Sequence, residues 1–356
     1  MMLDMEPPAG GLTQRPEAAP TRTHALRRPI LLVLTLGALV LLCLISIAVG
    51  SRQIPLGEVV GTLLHSRDTQ ADAIVWGVRV PRTALGLAAG AALGLAGAVM
   101  QALTRNPLAD PGLMGVSAGS ALGIVVAIGV LGIASLYATI WFAFTGALVA
   151  SVVVYVLGGL GRGGTTPVKL ALAGVAVTFM MSSLTGALAL ISPEALNRYR
   201  FWSAGSLAGQ DMPTILRVLP FLAVGALLAL AAGPALNNLS LGDDVAASLG
   251  RRPGLVRLQG LLAVTLLTGG AVAVVGPIVF VGLVVPHAAR IITGPDQRWL
   301  LPFSMLLAPC LLLMADIAGR VIARPQEVQV GIVVAFVGAP FFIALVRRRR
   351  LAELTT

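Results

Sequence analysis

Residues 83–103 read TALGLAAGAALGLAGAVMQAL, and no side chain in this run carries a charge. A helix that crosses a bilayer needs about 20 consecutive, mainly apolar residues, so the run is long enough to span a membrane. Glycine recurs every three or four residues from Gly86 to Gly97. Because small residues let membrane helices pack at short distance, the run predicts a membrane-spanning helix inside a closely packed bundle.

The composition of the whole chain agrees with this prediction. Of its 356 residues, 57% are hydrophobic and 11% are charged, and the mean hydropathy is +0.91. Soluble domains carry about 25% charged residues, so this chain has too few charges to cover a water-facing surface, and lipid must be its main solvent. The net charge is +10, but the arginines cluster between apolar runs, which argues against binding to nucleic acid.

Ten segments are apolar enough to span, or nearly span, a membrane. The eighth is short and follows Gly276-Pro277, and a segment broken in this way is tolerated where protein surrounds it. The ten segments are Pro29–Ala48, Thr83–Leu103, Leu113–Leu131, Ile140–Leu157, Leu170–Ile191, Ile215–Ala232, Leu258–Val275, Ile278–Ile292, Leu300–Ala318 and Val328–Leu345. The prediction is an all-α, polytopic membrane protein with about ten transmembrane helices.

Basic residues flank the first and the last of these segments. Arg27 and Arg28 precede the first, and Arg347–Arg350 follow the last. Because positively charged flanks stay on the cytoplasmic side, both termini are predicted to be cytoplasmic, which requires an even number of helices. The predicted organisation is a disordered cytoplasmic tail at 1–28, a transmembrane domain at 29–346 with a long cytoplasmic loop at 234–257, and a basic cytoplasmic tail at 347–356.

Three arginines, Arg79, Arg82 and Arg320, fall at the outer membrane boundary in this topology, against the usual inside bias. Two interpretations are open: the outer face meets an acidic partner, or the arginines anchor the ends of their helices. Asp316 lies four residues before Arg320, a spacing at which side chains on a helix meet, so an ion pair between them is predicted.

The sequence contains no motif of a catalytic or metal-binding site. The histidines (His24, His65 and His287) are far apart, and the two cysteines lie inside apolar runs. A phosphate-binding loop needs a lysine followed by serine or threonine, whereas the one lysine, Lys169, precedes a leucine. The prediction is therefore that this chain is not an enzyme, has no catalytic residue, metal or cofactor, and depends on a separate chain for any ATP hydrolysis.

The predicted cytoplasmic loop contains the sequence LGDDVAASLG at residues 241–250. Gly242 offers a helix start, Asp243 and Asp244 suit the positive end of the helix dipole, and a later glycine can end the helix. Val245 and Leu249 then share one face, and exposed apolar residues on a short cytosolic helix favour a partner groove. The alternative is a helix that lies against the membrane surface.

Six motifs occur in this order along the chain: RVPRT (79–83), GAVMQAL through NPLADPGLMGVSAG (97–119), LGDDVAASLG (241–250), GPIVFVGLVVPH (276–287), ADIAGR (315–320) and GAPFF (338–342). Together they resemble the motifs of the FecCD-type permease family of ABC importers. The segments 106–117 and 276–286 also resemble each other faintly, as inverted repeats in transporters do.

The resemblance implies a type II ABC importer permease in the bacterial cytoplasmic membrane. Such a permease pairs with a second permease, identical or different, with two ATPase subunits that carry MgATP, and with an extracytoplasmic substrate-binding protein. The implied substrate is an iron–siderophore complex, with haem or cobalamin as alternatives. A stand-alone secondary transporter is the other alternative, but a proton- or sodium-coupled carrier usually shows a mid-membrane carboxylate.

The resemblance also implies roles for individual residues. Docking of the binding protein is assigned to Arg79, Arg82 and Arg320. Coupling to the ATPase is assigned to Gly242, Asp243, Asp244, Val245, Ala246, Ser248, Leu249 and Gly250. The translocation pathway is assigned to Thr178, Met181, Ser182 and Thr185, with ordinary helix packing as the competing interpretation of that face.

Overall fold

The structure is a computed structural model that describes residues 22–65, 69–133, 135–160 and 166–353. Within these residues the chain forms helices and connecting segments without a strand. The helices are α1 (Arg22–Ala48), α2 (Leu56–Leu64), α3 (Gln70–Ile74), α4 (Val80–Thr104), α5 (Val116–Val125), α6 (Leu136–Gly159), α7 (Pro167–Ala189), α8 (Pro193–Ser203), α9 (Met212–Ser240), α10 (Asp243–Ser248), α11 (Pro253–Val275), α12 (Val281–Thr293), α13 (Gln297–Ile322) and α14 (Val330–Glu353).

The predicted all-α membrane fold is confirmed. Seven helical stretches in the described residues are long and apolar enough to cross a membrane, and three shorter apolar helices lie at Val116–Val130, Val281–Thr293 and Val330–Ala344. Each of the ten predicted segments falls on one of these ten helices. Two of the short helices follow interruptions of the α-helical backbone. These are a 3₁₀ turn at Pro111–Met114 and a non-helical segment at 276–280.

Several predicted boundaries differ from those in the structure. The first helix already begins at Arg22, inside the predicted 1–28 tail, and α14 continues through the predicted 347–356 tail as far as Glu353. The predicted loop at 234–257 is shorter, because α9 ends at Ser240 and α11 begins at Pro253. At the two ends of the chain the helices continue beyond the apolar run, since arginine and leucine are good helix formers. Residues 1–21 and 354–356 lie outside the described residues.

Helices α4 and α11 form the centre of the bundle. Helix α4 packs against α9, α11, α12 and α13, and α11 packs against α6 and α9 as well. Both helices are buried along most of their length, whereas α1 is largely exposed. The glycine-rich run that predicted close packing therefore lies at the centre of the bundle.

The two segments that resemble each other meet at this centre. A Cβ atom added to Gly97 of α4 would lie 2.0 Å from the carbonyl oxygen of Gly282, and one added to Gly282 would lie 2.9 Å from the ring of Pro111. Gln101 stabilises the contact, because its Nε2 donates to the carbonyl oxygens of Gly282 and Leu283 at 3.3 Å. Residues 97 and 282 must therefore be glycine for α4 and α12 to cross at this distance.

A Gly97→Ala substitution should destabilise the bundle, because the backbone of α12 would have to move away from α4. Overpacking of a close-packed core costs about 1–3 kcal/mol, and the upper part of this range applies because the clash is with backbone. Thermal unfolding of the detergent-purified protein measures the effect. Gly37→Ala on α1 is the matched control, since a Cβ there meets nothing within 4 Å; equal melting temperatures for both variants would contradict the prediction.

The bundle has two ends that carry different groups. The arginine end contains the end of α1, the start of α4 and the end of α13. The α10 end contains α10 and the start of α13, where Asn237 Nδ2 donates to Asp296 at 2.7 Å. The start of α1 shares this second end, because Arg28 lies beside Gly294.

Candidate functional site

A buried charge network occupies the arginine end. Asp316 is fully buried, and it accepts from Arg82 through Nη2 at 2.8 Å and through Nε at 3.1 Å. The Nη1 atom of Arg82 lies 2.5 Å from a carboxylate oxygen of Glu327, in the segment between α13 and α14. This arrangement joins the start of α4 to the end of α13 and to the loop that follows it.

Arg320 completes the network. Its Nη2 lies 2.9 Å from Asp316, which confirms the predicted ion pair. The same guanidinium group donates to the carbonyl oxygens of Ser46 and Val49 and to the hydroxyl of Ser46, each at 2.8 Å. One carboxylate thus serves two buried arginines, and the second arginine also holds the end of α1.

Two further arginines bind the backbone at the end of α1. Arg79 donates through Nη1 to the carbonyl oxygens of Ile47 and Ala48 at 2.9 and 2.7 Å, and through Nη2 to that of Arg52 at 2.8 Å. Arg324 donates to the carbonyl oxygen of Gly50 at 2.9 Å. The last carbonyls of a helix lack intrahelical partners and carry the negative end of its dipole, so these guanidinium groups fasten a largely exposed helix to the bundle.

The burial of Arg79, Arg82 and Arg320 supports the interpretation of these residues as helix anchors. Each guanidinium group already has several partners within the chain, and their docking role stays a prediction. The sequence indicated the Asp316–Arg320 pair through its spacing, but it gave no signal for the α1 carbonyl groups or for Glu327.

Glu327 is the accessible member of the network, since 30% of its side chain is exposed. Burial raises the pKa of Glu327, but the hydrogen bond from Arg82 and the charge of Arg82 outweigh it and hold the pKa below its ordinary value. Glu327 therefore stays ionised at neutral pH, and the stability it contributes is lost as the pH falls through this lowered pKa.

The predicted short helix at the other end is present as α10. Gly242, before its first residue, has φ +119°, and Gly250, after its end, has φ +75°. Both values lie in the region that glycine adopts readily, which explains why the helix is confined between them. Ala246 faces the bundle, whereas Val245 and Leu249 are 43% and 56% exposed. The exposed apolar pair on which the partner prediction rests is therefore observed, and the coupling role itself stays a prediction.

Asp243 makes contacts that its sequence position did not suggest. Its carboxylate accepts from Arg257 Nη2 at 2.7 and 3.0 Å and pairs with Nη2 of Arg105. Burial raises the pKa of Asp243, and the two arginines more than offset this and lower it. The adjacent Asp244 is exposed and has no ion pair within the described part of the chain. Two neighbouring carboxylates thus have different surroundings.

The predicted pathway residues on α7 do not share one environment. Met181 and Thr185 are buried, and the Thr185 hydroxyl donates to the carbonyl oxygen of Met181 at 2.7 Å. Thr178 is half-buried and Ser182 is exposed. Because α7 packs against α5 and α6, the burial of Met181 and Thr185 favours the packing interpretation for these two residues, while Ser182 lies on the free face of the helix. The pathway role of all four residues stays a prediction.

A second free surface borders α14. An open groove of about 620 Å³ runs between this helix, the end of α8 and the break before α12. Phe280, at the break, has φ +69°, a left-handed conformation that costs energy for a bulky residue. It packs over Gly338 of α14, where an added Cβ would lie 2.5 Å from the Phe280 Cβ. The groove lining is mainly apolar and includes Pro277, Val279, Ile332, Phe336 and Pro340.

Comparisons with known proteins agree with this architecture. The ferric enterobactin transport system permease protein FepD of Escherichia coli is 47% identical over 328 residues, which cover 92% of this chain and 96% of that protein. The probable siderophore transport system permease protein YfiZ of Bacillus subtilis is 43% identical over 280 residues, or 79% of this chain and 84% of that protein.

The fold also matches a solved structure and a family model. The solved structure, described as a metal-chelate type ABC transporter in an inward-facing conformation, superposes with a TM-score of 0.78 at 30% identity, covering 90% of this chain and 99% of that one. The model of the FecCD transport family matches residues 38–348. This match extends over most of the chain and confirms the resemblance noted in the motifs: the chain belongs to the FecCD transport family.

Proposed function

We propose that this chain is the membrane-spanning permease subunit of an ATP-driven importer for iron–siderophore complexes. The proposal is carried by the 47% identity, over almost the full length of both chains, to a ferric enterobactin permease protein. The importer would contain a second permease, identical or different, two ATPase subunits that bind MgATP, and an extracytoplasmic binding protein. The translocation pathway would lie at the interface of the two permeases.

We also propose that the α10 end faces the cytoplasm and the arginine end faces outward. Arg27 and Arg28 support this orientation, because basic residues favour the inner side. The arginines at the opposite end are compensated by Asp316, Glu327 and the α1 carbonyl groups. Their charges are therefore satisfied within the protein, which removes the conflict with the inside bias.

The free face of α7 around Ser182 and the groove beside α14 are the surfaces proposed for the pathway. Both are mainly apolar, so they suit a bulky chelate whose metal is already enclosed by its own ligands. Haem and cobalamin are the alternative cargoes, because mainly apolar surfaces would suit other large chelates as well.

Uptake measurements test this proposal. A strain that lacks the chain should lose uptake of labelled ferric siderophore and regain it on complementation, with uptake of haem and cobalamin unchanged. Vesicles that contain the permease and its ATPase should transport on addition of MgATP and not in response to a pH gradient. Transport driven by a pH gradient without nucleotide would contradict the assignment as an ATP-driven importer. Loss of haem or cobalamin uptake alone would identify that compound as the cargo in place of the siderophore.

Docking of the binding protein through Arg79, Arg82 and Arg320 is a further part of the proposal. Because these side chains are buried, an incoming carboxylate would first have to replace Glu327 on Arg82. Glu327→Gln removes the competing charge, so docking predicts tighter binding of the binding protein, by about fivefold for a difference near 1 kcal/mol. The affinity of the binding protein for the permease in nanodiscs measures this change. If the affinity of the variant is unchanged while its melting temperature is lower, the arginines act as helix anchors and the docking role fails.

A further inference from the structure

Asp243 connects α10 to two other helices through a single carboxylate. It is the first residue of α10, and it binds Arg257 near the start of α11 and Arg105 at the end of α4. Arg257 is largely buried, with 12% of its side chain exposed. A carboxylate shared by two arginines forms charge-assisted hydrogen bonds, which are about twice as strong as neutral ones.

Arg105 extends the connection to a third helix. Its backbone is left-handed, with φ +49°, where α4 ends. From this position its Nε donates to the carbonyl oxygen of Leu239 at 3.0 Å, near the end of α9, while its Nη2 binds Asp243. The start of α10 is therefore tied to three helices through side chains as well as through its own short connections.

The helices that Asp243 reaches are the central ones. Helices α4 and α11 are buried along most of their length and pack against each other and against α9. A displacement of α10 would therefore reach the core of the bundle through Arg105 and Arg257. The glycines at 242 and 250 place a flexible backbone position at each end of α10, because glycine adopts many backbone conformations. The ion pairs therefore add side-chain attachments to the packing of the buried Ala246.

We propose that Asp243 is a positioning residue that couples α10 to α4 and α11, so that movement of a partner bound to Val245 and Leu249 reaches the transport pathway. The inference rests on the proposed function, because it takes this partner to be the ATPase subunit. In this proposal the exposed Val245 and Leu249 form the contact surface for the ATPase, and Asp243 attaches the helix to the rest of the permease.

If Asp243 only attaches α10 to the bundle, binding of the ATPase subunits and the coupling of ATP hydrolysis to transport should be affected separately. Asp243→Asn removes the charge that holds Arg105 and Arg257 but leaves the exposed apolar pair intact. The ATPase subunits should therefore still co-purify with the permease and still hydrolyse ATP. Siderophore transported per ATP hydrolysed should fall at least about fivefold, the lower end of the range typical of coupling between two sites.

The experiment uses the complete importer in proteoliposomes with ferric siderophore and its binding protein. Arg257→Gln, which breaks the same contact from the other side, should reproduce the loss, and Asp243→Glu, which keeps the carboxylate, should recover part of the coupling. Arg298→Gln is the control, because Arg298 is exposed at the same end of the bundle and lies outside this contact. Size-exclusion profiles establish that each variant is folded.

The possible results distinguish this inference from the proposed function. Normal transport per ATP in both Asp243→Asn and Arg257→Gln would overturn the role of Asp243. Dissociation of the ATPase from folded Asp243→Asn would also overturn it, because Asp243 would then belong to the contact surface. If the unaltered permease neither binds an ATPase nor requires MgATP, the proposed function itself fails.

Discussion

The Asp316→Asn variant should unfold at a much lower temperature than the unaltered protein once it is extracted from the membrane. Asp316 is fully buried and is shared by Arg82 and Arg320, which are also buried. Replacing its charge leaves two guanidinium groups without their common counter-ion. Breaking a buried pair by removing one partner costs about 3–5 kcal/mol, which is a large part of the stability of an ordinary protein, about 5–15 kcal/mol.

The effect should spread to α1, because Arg320 also holds the carbonyl groups at the end of that helix. Thermal unfolding in detergent and the fraction of monodisperse protein measure the loss. Glu327→Gln is the comparison, since this partner of Arg82 is partly exposed and its loss leaves Asp316 in place as the counter-ion of both arginines. Equal melting temperatures for the two variants would show that Asp316 is not the centre of the network.

The sequence predicted those features that depend on local patterns. The ten spans follow from the length of the apolar runs, and the Asp316–Arg320 pair follows from its spacing of four residues. The short helix α10 was predicted because Gly242 and Gly250 mark its limits. Each of these predictions needs information from a single segment of about 20 residues or fewer.

Contacts between distant segments could not be predicted in this way. Arg82 and Asp316 are separated by 234 positions, and Arg105 and Asp243 by 138. The carbonyl groups of α1 that bind Arg79 carry no sequence signal at all, because every residue has one. The docking prediction was based only on the charge and position of the arginines. The structure shows which groups of the same chain already bind them.

The faces of α7 show a further limit. In a soluble protein the buried face of a helix is apolar and the exposed face is polar. In a membrane, lipid and protein interior are both apolar, so a helix such as α7 shows no such contrast. Met181 and Ser182 are neighbours, yet Met181 is buried and Ser182 is exposed. The pathway prediction therefore applies to the helix as a whole, because the sequence does not separate its buried residues from its free face.

Replacement of both Val245 and Leu249 by aspartate should release the ATPase subunits from the permease. Val245 on α10 and Leu249, which directly follows the helix, are exposed in the isolated chain, so they are available to a partner. Burying a valine or leucine side chain contributes about 1.5–3 kcal/mol, and a carboxylate in the same groove would have to be desolvated without a counter-ion. Loss of both contacts therefore corresponds to a decrease in affinity of at least about a hundredfold.

The permease itself should remain folded, because neither side chain packs into the bundle, whereas the buried Ala246 and the ion-paired Asp243 hold the helix in place. Co-purification of the ATPase with tagged permease measures the effect, and the size-exclusion profile in detergent establishes the fold. Ile291→Asp is the matched control, since Ile291 is an exposed apolar residue on α12, outside α10. If the double variant retains its ATPase while Ile291→Asp loses it, the docking surface lies on α12, and the partner assigned to α10 is wrong.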